Sequence, residues 1–245
     1  MKTILLACLC MLISSLHAQT IVNRSISTAA AKEINFNFDF PKVIKFSTWD
    51  KNEVAITASV SINGGDNNDA FVLEEKKEND AITITGKIKD FDKLPRVYTV
   101  QEKNSKDKLT FRTKEAWNEY MQKNGKTNLN YWGSNVDIEI TVEIKVPANT
   151  TTGVKATYGI VELSNFNGPI TVNATYGGID ASIQEPQVGS VSATTKYGQI
   201  YTNMQLNVTD KLEKDFYTSI TATTGRGPAY KLNSTYGNLY LRKQK

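Results

Sequence analysis

The sequence predicts an all-β protein, a β-solenoid (β-helix-like) of about 20-residue coils with a short helix-containing insertion. Three observations lead there. The hydrophobic period is two over most of the chain, the dipeptide Tyr-Gly recurs at near-constant spacing, and a helical period shows itself in one short stretch.

The period-two signal is strongest in "VDIEITVEIKVP". Val136, Ile138, Ile140, Val142, Ile144 and Val146 share one face, and Asp137, Glu139, Thr141, Glu143 and Lys145 share the other. Successive side chains of a strand point to opposite faces, so this is a half-buried strand, closed by Pro147, which cannot donate to a ladder. "EVAITASVSI" alternates in the same way at Val54, Ile56, Ala58, Val60 and Ile62, and "AITITGKI" at Ile82, Ile84 and Ile88. "KVIKFSTWDKNE" reads as a strand followed by an Asp-Lys-Asn turn, and "GGDNND" as a turn or loop.

Tyr-Gly occurs at Tyr158-Gly159, Tyr176-Gly177, Tyr197-Gly198 and Tyr236-Gly237, with gaps of 18, 21 and 39 residues. The last gap is close to two periods, so a degenerate copy is expected within it, around Tyr217 in "FYTSITATTGRG". A short β phrase follows each pair: "IVEL", "GIDASI", "QIYTNM", "NLYL". A unit of this size cannot bury its own apolar face. Copies stacked in register at about 4.8 Å bury one continuous core and place equivalent residues above one another. The tyrosines are expected to form a ladder at a corner, in chain order. Val154 and Ala156 should align with Val172 and Ala174, and with Val191 and Ala193 if one bulge residue intervenes. Each glycine is expected to supply a positive-φ turn.

The first eighteen residues, "MKTILLACLCMLISSLHA", carry Lys2, an apolar run from Ile4 to Leu16 and a small residue before Gln19. This is the pattern of a secretory signal peptide, with an apolar run too short for a stable membrane anchor. Cys8, Cys10 and His17 all lie within it, so residues 19–245 contain no Cys and no His. Disulfides, thiol chemistry, His-dependent nucleophile systems and the usual zinc ligands are thereby excluded from the exported chain. Residues 1–18 hold one of the 29 Lys and Arg and none of the 25 Asp and Glu, which leaves a net charge of +3. That is too mild for nucleic-acid binding. No later segment is apolar enough to cross a membrane as a helix. The expected organisation is a signal peptide over 1–18, an N-terminal β region over 19–90, a basic insertion over 91–133, and a repeat region over 134–245 continuous with the N-terminal one.

The insertion departs from the strand pattern. From Lys93 to Lys126 it holds nine basic residues against four acidic ones. Its "TKEAWNEYMQKNG" places Trp117, Tyr120 and Met121 at i, i+3, i+4, with Gly125 available to close a helix. Cations interleaved with aromatic rings suit an anionic polysaccharide, so Lys108, Phe111, Arg112, Lys114, Trp117, Tyr120 and Trp132 are the candidate ligand-binding residues. The bland alternative is a solvated loop whose aromatics cap the stack. Asp137, Glu139 and Glu143 could form a carboxylate pair of the kind that cleaves glycosidic bonds, but a solvated strand face explains them more simply. "GGDNND" offers oxygen ligands without the alternation of a calcium loop.

At "ATYGIVELSNFNGPITVNATYGG" and "FSTWDKNEVAI" the chain resembles the bacterial exported "putative adhesin" family of β-strand-repeat domains of unknown function. The resemblance spans roughly 35–90 and 135–243 and includes the Gly168-Pro169 of the loop. It implies an exported, non-enzymatic cell-envelope protein, structural or adhesin-like. Such a protein would bind an anionic polysaccharide or a surface or envelope protein without a cofactor, in the periplasm, on the outer-membrane surface or outside the cell. The rival expectations are a polysaccharide-active β-helix enzyme, lyase or glycosidase, and an envelope-stress sensor partnering a membrane regulator. The enzyme would require Asp137, Glu139 and a basic side chain to converge in a groove.

Overall fold

The computed structural model describes residues 19–28, 31–125 and 128–244. Residues 1–18, read above as a signal peptide, lie outside them. The chain is mostly β, in mixed sheets, with one α-helix among the described residues. The first strands are β1 (Thr20–Ser27), β2 (Glu33–Phe38), β3 (Val43–Trp49), β4 (Glu53–Ile62), β5 (Phe71–Glu78) and β6 (Ala81–Ile88). Next come β7 (Val97–Glu102), β8 (Lys108–Phe111), the helix α1 (Lys114–Asn124), β9 (Leu129–Asn135) and β10 (Ile138–Pro147). The repeat region supplies β11 (Thr151–Ala156), β12 (Ile160–Leu163), β13 (Ile170–Ala174), β14 (Ile179–Ile183), β15 (Ser190–Thr195) and β16 (Ile200–Thr202). The last four are β17 (Asn207–Lys214), β18 (Tyr217–Thr223), β19 (Ala229–Ser234) and β20 (Leu239–Lys243).

Two large sheets enclose the core. One runs β1-β4-β10-β3-β12-β14-β20-β16, the other β17-β18-β15-β19-β13-β11-β2-β6-β5. Their central strands pair in parallel and in register. Phe36, Val154, Val172, Leu232 and Ala193 share one row of one sheet, and Ile44, Val161, Ile179, Leu239 and Ile200 one row of the other. All of these are buried except Ile200, which is half-buried. Alternation thus becomes a pair of facing apolar surfaces, each row contributing about 1.5–3 kcal/mol per large buried side chain. Antiparallel strands close both ends: β4 and β1, with β5, at one, and the β17–β18 hairpin at the other.

The repeats do not stack in chain order. β19 and β20 insert between β13–β14 and β15–β16, so the fourth Tyr-Gly unit lies between the second and third. The expected degenerate copy around Tyr217 is instead the antiparallel hairpin β17–β18, which extends one sheet past β15. No bulge residue is needed either, because Ala193 and Thr195, not Val191 and Ala193, align with Val172 and Ala174. The hairpin's outer strand is rich in charge ("NVTDKLEK"), as is β5 at the far edge ("FVLEEKKE"). Charged edge strands resist pairing with other chains.

Strands β7, β8 and β9 and the helix α1 form a separate small layer. β8, β7 and β9 make a three-stranded antiparallel sheet with α1 on one face. Thr113 caps the helix by accepting from the Ala116 amide at 3.2 Å, and the Gly125 amide donates to the Met121 carbonyl. The core here is Val100, Met121 and Leu129, with Phe111, Trp117 and Tyr120 packed around it.

Candidate functional site: an aromatic corner and a polar groove

In each central unit the chain leaves one sheet, turns a corner and enters the other. The corner is where Tyr-Gly sits. Corner backbones continue the hydrogen-bond ladder: the amides of Tyr158, Tyr176, Tyr236 and Tyr197 donate to the carbonyls of Asp39, Thr157, Thr175 and Thr235 at 2.8–3.2 Å. Their rings stack in the same order. Centroids lie 5.3 Å apart for Tyr158–Tyr176, 5.1 Å for Tyr176–Tyr236 and 4.9 Å for Tyr236–Tyr197, with planes within 16°. Phe40 and then Phe91 extend the column at one end, and Phe216 of the hairpin turn extends it at the other. The four tyrosines are 48–57% exposed. Neighbouring rungs cover the ring faces, so edges and hydroxyls meet solvent.

The corner glycines serve a purpose different from the expected one. Only Gly159 has a positive φ, 79°. At Gly177 an added Cβ would lie 1.4 Å from the Gly159 carbonyl oxygen, and at Gly237 and Gly198 2.1 Å from the carbonyl of the next corner. A Cβ at Gly159 would likewise lie 2.1 Å from the Pro41 carbonyl oxygen, so all four glycines are required by the close approach of stacked backbones. Ser234 and Thr195, which replace the alanines of earlier copies, are buried and use their hydroxyls here. Ser234 Oγ donates to the Gly177 carbonyl and accepts from the Gly237 amide, and Thr195 Oγ1 does the same for Gly237 and Gly198.

The small layer occupies an equivalent corner. It is inserted between β6 of one sheet and β10 of the other, and Phe91 at its start is the first ring of the column. Its helix-free face looks onto the main body across a groove of about 520 Å³. Thr99, Gln101, Lys108, Thr110, Tyr131 and Asn135 line one side, and Lys42, Asp137 and Glu139 line the other. Lys42 is ion-paired with Glu139. The column and the groove meet at Phe40-Pro41-Lys42, where a rung and a groove wall are two residues apart.

The predicted ligand-binding residues divide sharply. Lys108 lines the groove, with its Nζ 5.9 Å from the centroid of the Tyr131 ring. Phe111, Trp117 and Tyr120 spend their rings on the helix–sheet contact. Phe111 packs against Tyr120, and Trp117 against Tyr98. The Tyr120 hydroxyl donates to Glu102 at 2.7 Å, and that bond raises its pKa above the ordinary tyrosine value. Arg112 reaches Asp66 of the "GGDNND" loop at 2.7 Å and ties the small layer to the body. Lys114 is the exposed first residue of α1, and Trp132 is exposed on β9, across from Val100 on the helix-bearing face. Helical spacing at 117, 120 and 121 was the sign that those rings form a core. The groove residues Thr99, Gln101 and Thr110 carry no sequence signal, because short polar side chains on alternate positions resemble any solvated strand face; Tyr131 belongs to the insertion's interleaved cations and aromatic rings. No cluster of metal-ligating side chains occurs among the described residues.

No family model matches the chain, and no curated protein matches it. Among solved structures, a protein described as a "putative cell adhesion protein" from Clostridium sporogenes ATCC 15579 superposes with a TM-score of 0.50. The match covers 93% of this chain and 100% of the other at 10% identity, and shows a shared fold. A "putative adhesin" from Bacteroides fragilis NCTC 9343 aligns over 92% of this chain and 98% of its own at 10% identity. Its TM-score of 0.21 is too low to support a shared fold.

Proposed function

We propose that the chain is an exported, non-enzymatic β-solenoid of the cell envelope, adhesin-like, that holds an extended envelope or extracellular polymer along its aromatic corner. The observation that carries this reading is the column of seven aromatic rings from Phe91 to Phe216. Four of its rungs present phenolic hydroxyls at a near-constant repeat of about 5 Å on a backbone too tightly stacked to yield. Such a row can act on many units of a chain lying parallel to it, so weak contacts add into avidity. The fold shared with a protein described as a "putative cell adhesion protein" supports the same role. Export rests on the signal-peptide pattern of residues 1–18. The test is co-sedimentation of the purified chain with insoluble envelope material. The variant Tyr158→Ser, Tyr176→Ser, Tyr236→Ser should lose most binding while keeping its β circular dichroism. Binding equal to the parent would overturn the role of the column.

One observation favours a second reading. Asp137 and Glu139 line the same groove as Lys42 and Lys108, which is the convergence that a polysaccharide-active enzyme would need. Asp137 immediately precedes β10 and Glu139 is its second residue, so both carboxylates stand at the same strand end. Release of new reducing ends or unsaturated products from a polysaccharide, abolished in Asp137→Asn and in Glu139→Gln, would establish it. No release from a broad polysaccharide panel would remove it.

A further inference from the structure

We propose that the groove between the small layer and the main body is a saccharide-binding site, with Tyr131 as its stacking platform. The inference deepens the binding reading above by giving it a second, separable site and a ligand class.

A three-stranded sheet has two faces, and here only one is used for folding. Val100, Met121 and Leu129 fill the face toward α1. Across the other face, register places Lys108, Gln101 and Tyr131 in one row and Thr110, Thr99 and Gly133 in the next. This face is free of the Lys–Glu ladders that cover solvated strands elsewhere in the molecule, such as Lys87–Glu74 and Lys211–Glu213. Hydroxyls and amides take their place, and each can donate and accept, as a sugar hydroxyl also can.

Gly133 explains how the ring is presented. A Cβ built there would lie 2.7 Å from the Tyr131 hydroxyl oxygen and 3.2 Å from Cζ. The ring therefore lies along its own strand, over the space that the glycine leaves empty, instead of standing off the sheet. One side of the ring is turned to the backbone and the other to the groove. Unlike the corner tyrosines, whose faces cover one another, Tyr131 makes no ring-to-ring stack among the described residues. A sugar ring presents its C–H face to such a platform.

The polar groups around the platform are held in place. Gln101 donates its amide to the carbonyls of Ser105 and Lys106 at 3.2 and 3.4 Å, which fixes the side chain and leaves its oxygen to accept. Lys42 and Glu139 form a paired donor and acceptor on the opposite wall. Lys108 makes no ion pair among the described residues, and its Nζ lies over the Tyr131 ring at 5.9 Å from the centroid, which puts a cation at the platform. The groove volume of about 520 Å³ lies within the range of small-ligand sites. Its charge is nearly balanced, with Asp137 opposing Lys108, so the class is a saccharide bound by its hydroxyls, with Lys108 favouring one that carries a carboxylate.

The test uses the full exported chain, neutral hexose oligosaccharides and hexuronate oligosaccharides of equal length, and isothermal calorimetry. The parent should bind at least one of the two sets. Tyr131→Ala, and Thr110→Trp, which fills the groove, should each weaken binding by about tenfold or more with unchanged melting temperature. Lys108→Gln should reduce the affinity for hexuronates and leave that for neutral sugars. The corner variant Tyr176→Ser should bind oligosaccharide as the parent does. Parent-like affinity in both Tyr131→Ala and Thr110→Trp would overturn the groove as the site. Loss of oligosaccharide binding confined to Tyr176→Ser would overturn it too while supporting the aromatic corner. Failure of the parent to bind either set would overturn the saccharide class and leave envelope co-sedimentation as a separate result.

Discussion

The same corner of the molecule is built in two ways. Between β13 and β14 it takes four residues, Thr175 to Gly178. Between β6 and β10 it takes residues 89–137 and contains a sheet and a helix of its own. The short corner has no freedom, since its backbone touches the corners on both sides and its ring is a rung. The long corner keeps one rung, Phe91, and places everything else outside the stack. Stacking dictates residue identity where units touch, so particular surfaces accumulate where the chain leaves the stack.

This contrast makes graded predictions. The largest effect is expected at Gly177→Ala, whose Cβ would lie 1.4 Å from a backbone oxygen. The loss should be on the order of 4 kcal/mol, read from denaturant unfolding, and a loss below about 1 kcal/mol would mean that the corners are not in contact. Next come paired core truncations. Leu232→Ala, fully buried in the stack, should cost about 2–5 kcal/mol in the global transition. Met121→Ala should instead raise amide exchange across 97–135 and leave the global midpoint nearly unchanged, because the small core is a local unit. If both act on one transition, the two regions fold as one.

A pH experiment sharpens the comparison. Burial raises the pKa of Tyr230, whose hydroxyl donates to the Phe166 carbonyl at 2.6 Å deep in the stack. A phenol with a raised folded-state pKa adds stability that is fully present below the unfolded value of about 10 and is lost as pH climbs above it. Tyr230→Phe should therefore be about 1 kcal/mol less stable than the parent at pH 7 and should lose this deficit in strong alkali. A deficit that persists unchanged at high pH would refute the titration account. The smallest effect is expected at Arg112→Ala. The Arg112–Asp66 pair is well exposed on both sides, so its loss should cost less than about 1 kcal/mol.

The sequence reveals strand parity well. The faces read from 136–146, 54–62 and 82–88 are the faces that are buried, because period two has a single structural meaning when one side meets a core. The aromatic column was legible from the Tyr-Gly spacing, although its order was not. Spacing along the chain cannot say that β19–β20 returns to pair between earlier units, since nearly identical copies accept one another as neighbours in any order. Phe40, Phe91 and Phe216 were invisible as rungs because their corners lack the glycine that marked the others. The groove was the least legible feature. Its key pair, Tyr131 and Gly133, is a two-residue signal whose meaning depends on a sheet face that the sequence does not announce.

The fourth unit lies between the second and the third. Residues 19–245 contain no cysteine, so engineered pairs report adjacency without background. Asn173 and Asn233 face each other across β13 and β19, with their side chains 3.1 Å apart. Thr194 lies one strand beyond Asn233. Under mild oxidation, Asn173→Cys with Asn233→Cys should form a disulfide, and Asn173→Cys with Thr194→Cys should remain reduced. A disulfide in the second pair and none in the first would mean that the units stack in chain order and would contradict the placement of β19 and β20 between β13–β14 and β15–β16.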